Sequence, residues 1–413
     1  MLITNIKGLV GLHPKEKLVL RGSEMKDLPV LENAWLLIED GLIKDFGKMS
    51  EIPSQISNLP SQTSAEGKYV FPSWCDSHTH TVFAASREEE FAMKIQGKTY
   101  EEIAAAGGGI LNSANKLQQA SEDELFESAS ARLKNMILKG TGAVEIKSGY
   151  GLTVESEIKM LRVIQRLKAN FLIPIRATFL AAHAYPSAFK DNHQGYIDLI
   201  INEMLPQIAA ENLADYIDVF CEKGFFSVEE TDQILKAGAK YGLKPKIHAN
   251  QLSVSGAVEV GVKNNAVSVD HLEETTQQTI NSLKTSDTIA TLLPSCSFYL
   301  GIPFANAKSL IAENVPVAIA TDYNPGSTPS GNINFVVSLA CIKLKMQPEQ
   351  AINAATLNGA AAMEISSDYG SIATGKKANL FITKPMPSIA YLPYSFGEAQ
   401  IETIILNGEI YNG

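Results

Sequence analysis

The hydrophobic positions along the chain follow two different rhythms. Near the N-terminus, LITNIKGLVGL, EKLVLRG, AWLLIEDGLIKDFG and KYVFP are short apolar runs broken by Gly, Pro and Asp. KKANLFITK and IETIILNGEIYNG repeat that pattern near the C-terminus. Runs of this length and punctuation predict strands. The middle of the chain alternates instead. VFPSWCDSHTH, TGAVEIKSGY, IPIRATFLAAHA, IDVFCEKG, KPKIHANQ, AVSVDHLE, TIATLLPS and VPVAIATD are nearly unbroken apolar runs. Between them lie amphipathic helical stretches such as SEDELFESASARLKNMILKG and VESEIKMLRVIQRLKA. Strands buried on both faces read as continuous apolar runs, and repeated strand–helix alternation predicts a parallel barrel. The expected fold class is α/β: a (β/α)8 TIM barrel with a small β-sandwich domain built from both chain termini. The expected boundaries are 1–68 and 371–413 for the two parts of the sandwich and 69–370 for the barrel.

A chain of 413 residues suits a large barrel with additions. Hydrophobic residues make up 45% and charged residues 19%, the balance of a globular protein. The net charge of −10 argues against nucleic acid or an anionic membrane as the main partner. No apolar run is long enough to span a bilayer, and the N-terminus lacks the basic and apolar regions of a signal peptide. Cys75, Cys221, Cys296 and Cys341 form no C-x-x-C pair, so they read as reduced thiols in a cytoplasmic protein.

The chemistry is suggested by where the polar residues fall. The first barrel run leads into SWCDSHTHTVF, whose His78 and His80 are spaced to share one face of a strand. Later runs end in Lys147-Ser148-Gly149-Tyr150, His183, Cys221-Glu222, His248 with Gln251 after it, Asp270-His271-Leu272-Glu273, and Asp322. Five of the seven histidines thus sit at the carboxyl ends of predicted barrel strands, the face where barrel enzymes build their sites. Imidazole and carboxylate are ligands for zinc or ferrous iron. His78, His80, His248 and Asp322 make an N3O set for one divalent metal ion per subunit, zinc or iron. A catalytic ion keeps one position open for water and lowers the pKa of that water. His271 is the candidate proton shuttle, with ligand and packing residue as its alternatives, and Asp322 is the second candidate proton acceptor.

The order H-x-H, His, His, Asp along a barrel, with a terminal sandwich, resembles the metal-dependent amidohydrolase superfamily. Within it, DSHTHTVFAASREEEF, AAGGGI, EIKSGYGL, TFLAAHAYP, FCEKGFF, HANQL, SVDHLE, ATLLP and ATDYNPGS resemble the imidazolonepropionase family, in the same order across roughly residues 72–330. The resemblance implies metal-dependent hydrolysis of the cyclic amide of 4-imidazolone-5-propanoate to N-formimidoyl-L-glutamate in histidine degradation, a small-molecule substrate and a homodimer. It also implies substrate contacts from Arg87, Tyr150 and His183, and from Asn324, Gly326 and Ser327 through side chains and backbone N–H groups. Arg87 in ASREEEF suits a propionate tail because a guanidinium binds carboxylate bidentately. Its alternative is a surface pairing with Glu88 to Glu90. Many superfamily members bridge two metals with a lysine at the end of strand four. Here that strand ends in Phe220-Cys221-Glu222 and Lys223 looks misplaced for the role, so one metal is expected. Gln251 stands where some relatives carry Glu. An amide cannot act as a general base, so Gln251 is expected to bind the ring. Asn379 replaces a frequent Asp in the sandwich segment, where a structural effect is expected. Gly107, Gly108 and Gly109 allow either a loop over the site or a plain connector.

Overall fold

The computed structural model describes residues 1–57, 59–98, 102 and 108–413. The terminal sheet takes β1 (Leu2–Val10), β2 (Val30–Glu39), β3 (Leu42–Lys48), β4 (Gln62–Ser64) and β5 (Tyr69–Pro72) from the first part of the chain. The barrel follows with β6 (Trp74–Asp76), β7 (Thr141–Lys147), β8 (Ile175–Ala182) and β9 (Tyr216–Cys221). It continues with β10 (Lys244–Ala249), β11 (Ser268–His271), β12 (Ile289–Leu292) and β13 (Val317–Ile319). Finally β14 (Leu380–Thr383), β15 (Ile401–Leu406) and β16 (Glu409–Ile410) return to the terminal sheet.

The terminal sheet runs β16-β15-β14-β5-β1-β2-β3, with β4 beside β1. Its β3 edge curls back onto the segment ahead of β14. Ile43 N donates to Lys376 O at 2.9 Å, and Gly375 N donates to Ile43 O at 2.8 Å. Ile3, Leu36, Ile38, Val70, Leu380 and Ile405 fill the enclosed core. Strand alternation assigns the neighbours of Val70 to the other face. There Tyr69 and Phe71 join the barrel's core cluster, and Phe71 stacks on Phe381 with ring centroids 5.2 Å apart.

The barrel strands β6 to β13 pair in chain order, all parallel. The first and last strands meet just beyond their ends. Asp322 N donates to His78 O at 3.0 Å and His80 N to Tyr323 O at 2.8 Å. Closure of the barrel therefore brings the histidine pair of β6 beside the aspartate that follows β13. The two helices read from the sequence form as Glu122–Ile137 and Val154–Asn170, capped by the side chains of Ser121 and Thr153. They lay Leu125, Leu133, Ile158 and Leu161 against the barrel.

Two expected strands differ in the structure. The run from Val70 to His80 divides at Ser73. Its first half lies in the terminal sheet and its second half in the barrel. EKLVLRG forms no strand. Its backbone meets a side chain in place of a ladder: Leu20 N donates to Asn358 Oδ1 at 2.8 Å, and Asn358 Nδ2 donates to Leu20 O at 3.0 Å. Asn379 joins the two sheets. Its buried Nδ2 donates to Gly142 O at 3.0 Å, and its Oδ1 accepts from Asn407 N at 2.8 Å. Gly107 lies outside the described residues. Gly109 N donates to Glu90 Oε1 at 3.0 Å.

The helix Leu357–Ala362 packs so closely on β6 that a Cβ on Gly359 would stand 2.3 Å from Cys75 O. Gly359→Ala is expected to destabilise the fold by about 1–3 kcal/mol, the usual cost of overpacking. Urea titration followed by circular dichroism would show an unchanged midpoint if this contact can relax freely.

Candidate metal centre

The ends of β6, β10 and β13 place four ligand atoms around one point. His80 Nε2 lies 3.3 Å from His78 Nε2 and 3.4 Å from His248 Nε2. Asp322 Oδ1 lies 3.5 Å from His78 Nε2 and 3.6 Å from His80 Nε2. Metal–ligand bonds of about 2.0–2.2 Å set tetrahedron edges of roughly 3.3–3.6 Å. The four separations fall in that range, so the donor set suits a small divalent ion. All four side chains are buried. Burial, helped by Lys147 and the neighbouring histidines, pushes His78 far below its usual pKa. Burial, His183 and His248 do the same to His80. Both rings are thus neutral, the form that binds metal.

Two carboxylates beneath the cluster fix how these rings face. His78 Nδ1 is 2.6 Å from Asp270 Oδ2, and His248 Nδ1 is 3.1 Å from Asp218 Oδ1. Each Nδ1–H donates to its carboxylate, which leaves Nε2 for the metal. Sequence reasoning missed this layer. Its signal was charge inside otherwise apolar strands: Glu145 and Lys147 on β7, Asp218 on β9, Lys246 on β10 and Asp270 on β11. All five are buried to within about 1%.

His271 stands beside the cluster, its ring centroid 5.6 Å from that of His78 and 5.3 Å from that of His248. It directly follows Asp270, so plain strand alternation would turn it out of the barrel. Positive φ angles at His271 (87°) and Leu272 (66°) break that alternation. Such backbone is strained in residues other than glycine and concentrates at functional sites. Asp322 is also left-handed, at φ 55°. Burial works against charge on His271, but the Glu273 carboxylate, with Asp322 and Asp270, raises its pKa above the ordinary value. Its Nδ1 is 3.5 Å from Glu273 Oε2, and Glu273 Oε1 accepts from Ser297 Oγ at 3.0 Å. Burial raises the Asp322 carboxyl above its usual range, against the opposing pull of His271 and His248.

A cavity of about 240 Å³ opens over the cluster. It brings together His80, Arg87, Tyr150, His183, His248, Gln251, His271, Asp322, Asn324, Gly326 and Ser327. His183 lies over His80 in a stacked arrangement at 5.3 Å, and burial lowers its pKa to about 3. Arg87 holds Glu90 through Nε at 2.8 Å and Nη2 at 2.5 Å, so the surface pairing and the cavity position coexist. Its Nη1 sits 2.4 Å from where a Cβ on Gly326 would stand. In the NPGS turn, Gly326 N and Ser327 N both donate to Asn324 Oδ1, at 2.8 and 2.7 Å. Asn324 thus builds the loop, and the N–H groups read as ligand contacts are taken up within it. Ser327 Oγ donates to Asp322 Oδ2 at 3.1 Å. Glu222 at the end of β9 caps the loop after β10 by accepting from Leu252 N at 2.9 Å, and Lys223 is exposed. A larger groove of about 1190 Å³ opens elsewhere, beside the start of β10, and none of the seven histidines lines it.

Residues 69–411 match the Amidohydrolase family. The chain is 55% identical over 409 residues to a protein of Flavobacterium johnsoniae named imidazolonepropionase, covering 99% of both. It is 42% identical to an imidazolonepropionase of Thermoanaerobacter pseudethanolicus, covering 98% of this chain and 96% of that one. This chain belongs to the imidazolonepropionase family of amidohydrolases. Solved structures confirm the fold alone. A triazine hydrolase variant superposes with a TM-score of 0.75 at 14% identity, covering 99% of this chain and 94% of that one. A 5-methylcytosine deaminase from Klebsiella pneumoniae gives 0.74 at 16%, with 99% and 97% covered. Family and donor set together make this a divalent-metal site. Among the described residues, no helix is long and apolar enough to cross a membrane.

Replacing His271 with Ala is expected to lower turnover about 10²–10⁴-fold, the range of a lost general acid–base group, while metal content stays at the unaltered level. Loss of metal by elemental analysis would make His271 a ligand.

Proposed function

We propose that this chain hydrolyses the ring amide of 4-imidazolone-5-propanoate to N-formimidoyl-L-glutamate. The observation that carries the reading is a guanidinium, Arg87, in the same small cavity as the histidine–aspartate cluster. The substrate is a planar ring amide with an anionic tail, and the two features of the cavity answer its two ends. A neutral purine or pyrimidine offers nothing to Arg87.

A divalent ion held by His78, His80, His248 and Asp322 would polarise the ring carbonyl and lower the pKa of water. The remaining roles fall to side chains. Arg87 pairs with the propionate, so binding energy away from the reacting bond orients the ring. Tyr150 and His183 flank the ring, and Gln251 hydrogen-bonds it. His271, assisted by Asp322, takes a proton from the attacking water and delivers it to the leaving ring nitrogen. The amide C–N bond breaks, its carbon becomes a carboxylate, and its nitrogen ends the formimidoyl group. The cavity buries these groups, which strengthens each charged contact. The reading extends to zinc or iron as the ion, to residues 69–370 as the catalytic barrel, and to a cytoplasmic homodimer. The family resemblance and the free cysteines support it.

The deciding assay follows loss of ultraviolet absorbance of freshly made 4-imidazolone-5-propanoate against a blank without enzyme. Chelator-stripped protein, re-supplied with zinc or iron, runs alongside. Metal-dependent loss with formimidoylglutamate as product is expected, and no acceleration by fully metallated protein would sink the substrate assignment. Arg87→Met is expected to cut kcat/KM about 10–100-fold, the worth of a charged hydrogen-bond pair, chiefly through KM. An unchanged KM would remove Arg87 from tail binding.

A further inference from the structure

Barrel interiors are usually filled by branched apolar side chains. Here five ionisable side chains, all buried, stand in one layer below the metal ligands. Lys147 holds the centre. Its Nζ donates to Glu145 Oε1 at 2.7 Å and Asp218 Oδ2 at 2.8 Å, and lies 3.5 Å from Asp270 Oδ2. Asp218 and Asp270 are the two carboxylates that hold His248 and His78. One ammonium group thus ties two ligand-orienting carboxylates from different strands to a third strand, β7. Lys246 is equally buried but placed differently. It pairs with Glu145 and donates to Ser77 O at 3.3 Å. It stands opposite Asp218 in the β9–β10 ladder, but no hydrogen bond or ion pair joins its ammonium to Asp218 or Asp270.

We infer that Lys147 is a positioning residue for the metal centre: it sets the separation of His78 and His248 by clamping Asp270 and Asp218, and so sets metal affinity. The argument is one of geometry. Asp218 meets His248 with Oδ1 and Lys147 with Oδ2, so the ammonium pins it on the side away from the ring. At Asp270 the ammonium stands 3.5 Å from Oδ2, the oxygen that accepts from His78 Nδ1, while Ser268 Oγ donates to Oδ1 at 2.5 Å. Lys147 alone spans both carboxylates and so fixes the distance between them. Lys246 lacks that linkage, which makes it the internal control for the cost of removing a buried ammonium from this layer.

The inference rests on the metal reading of the site, so binding of zinc and of ferrous iron by the unaltered chain is measured first. Failure to bind either ion overturns both readings, whereas binding isolates the role of Lys147, with ferrous iron taking the place of zinc in the comparison if it alone binds. Zinc affinity is then measured by competition with a chromophoric chelator for Lys147→Met and Lys246→Met, alongside the thermal midpoint of each metal-free protein. Lys147→Met is expected to weaken zinc about 10–100-fold, the range for loss of groups that orient metal ligands. Lys246→Met is expected to stay within about threefold of the unaltered chain, while both metal-free midpoints fall. Equal weakening by the two variants, or unchanged affinity in Lys147→Met, overturns the inference. If Lys147→Met does not fold, Lys147→Gln, which keeps a donor but loses the charge, is read against the same control and limits.

Discussion

Three buried imidazole nitrogens and a carboxylate oxygen each lie 3.3 to 3.6 Å from a neighbour in the set. Lone pairs turned toward one another in this way repel unless a cation lies between them. Everything nearby answers that constraint. Carboxylates behind His78 and His248 hold the protons away from the centre. Three carboxylates face two ammonium groups in the layer below, and Asp322 adds another negative charge above. The balance is two negative charges, which a divalent ion neutralises. Ion pairs buried this deeply seldom improve stability over apolar packing. Their presence in the barrel is better explained by the geometry they impose on the ligands.

The site and the fold were legible to different depths. His78, His80, His248 and Asp322 could be picked out as proposed ligands from residue type, order and spacing, and the folded barrel brings them together. Barrel strands buried on both faces could be read because their apolar runs are unbroken. The ionic layer could not, because Lys147 in EIKSGY looks like any strand-end lysine. Its partner Asp218 is 71 residues away, and only the closed barrel brings them together. His271 could be placed at the right end of β11, but alternation alone would have turned it outward. The reversal depends on two residues with positive φ. EKLVLRG had the composition of a strand, yet its hydrogen bonds went to the Asn358 side chain. The NPGS loop was correctly located at the cavity, but nothing local showed that Asn324 would occupy its N–H groups.

The cavity divides its labour by height. His78, His80, His248 and Asp322, with the carboxylates behind them, form the floor, held at or just beyond the ends of barrel strands. His183, Tyr150 and Gln251 form the wall. Arg87, braced by Glu90, and the Asn324–Ser327 loop form the rim. Gly326 belongs to this rim because a side chain there would collide with the guanidinium. The solved neighbours share the fold at 14–16% identity and carry other names; a shared fold does not fix a function.

The crossing at Ser73 has a consequence for how the two sheets are coupled. The strand that leads into His78 and His80 continues directly from β5, and β5 is held on one side by β14. Tyr69 N and Thr383 Oγ1, which bond across that junction, are 314 residues apart. The register of the barrel's first strand, and with it the placement of His78 and His80, is therefore tied to a segment more than 300 residues further along the chain. A disturbance of β14 is carried through β5 and Ser73 to the histidine pair.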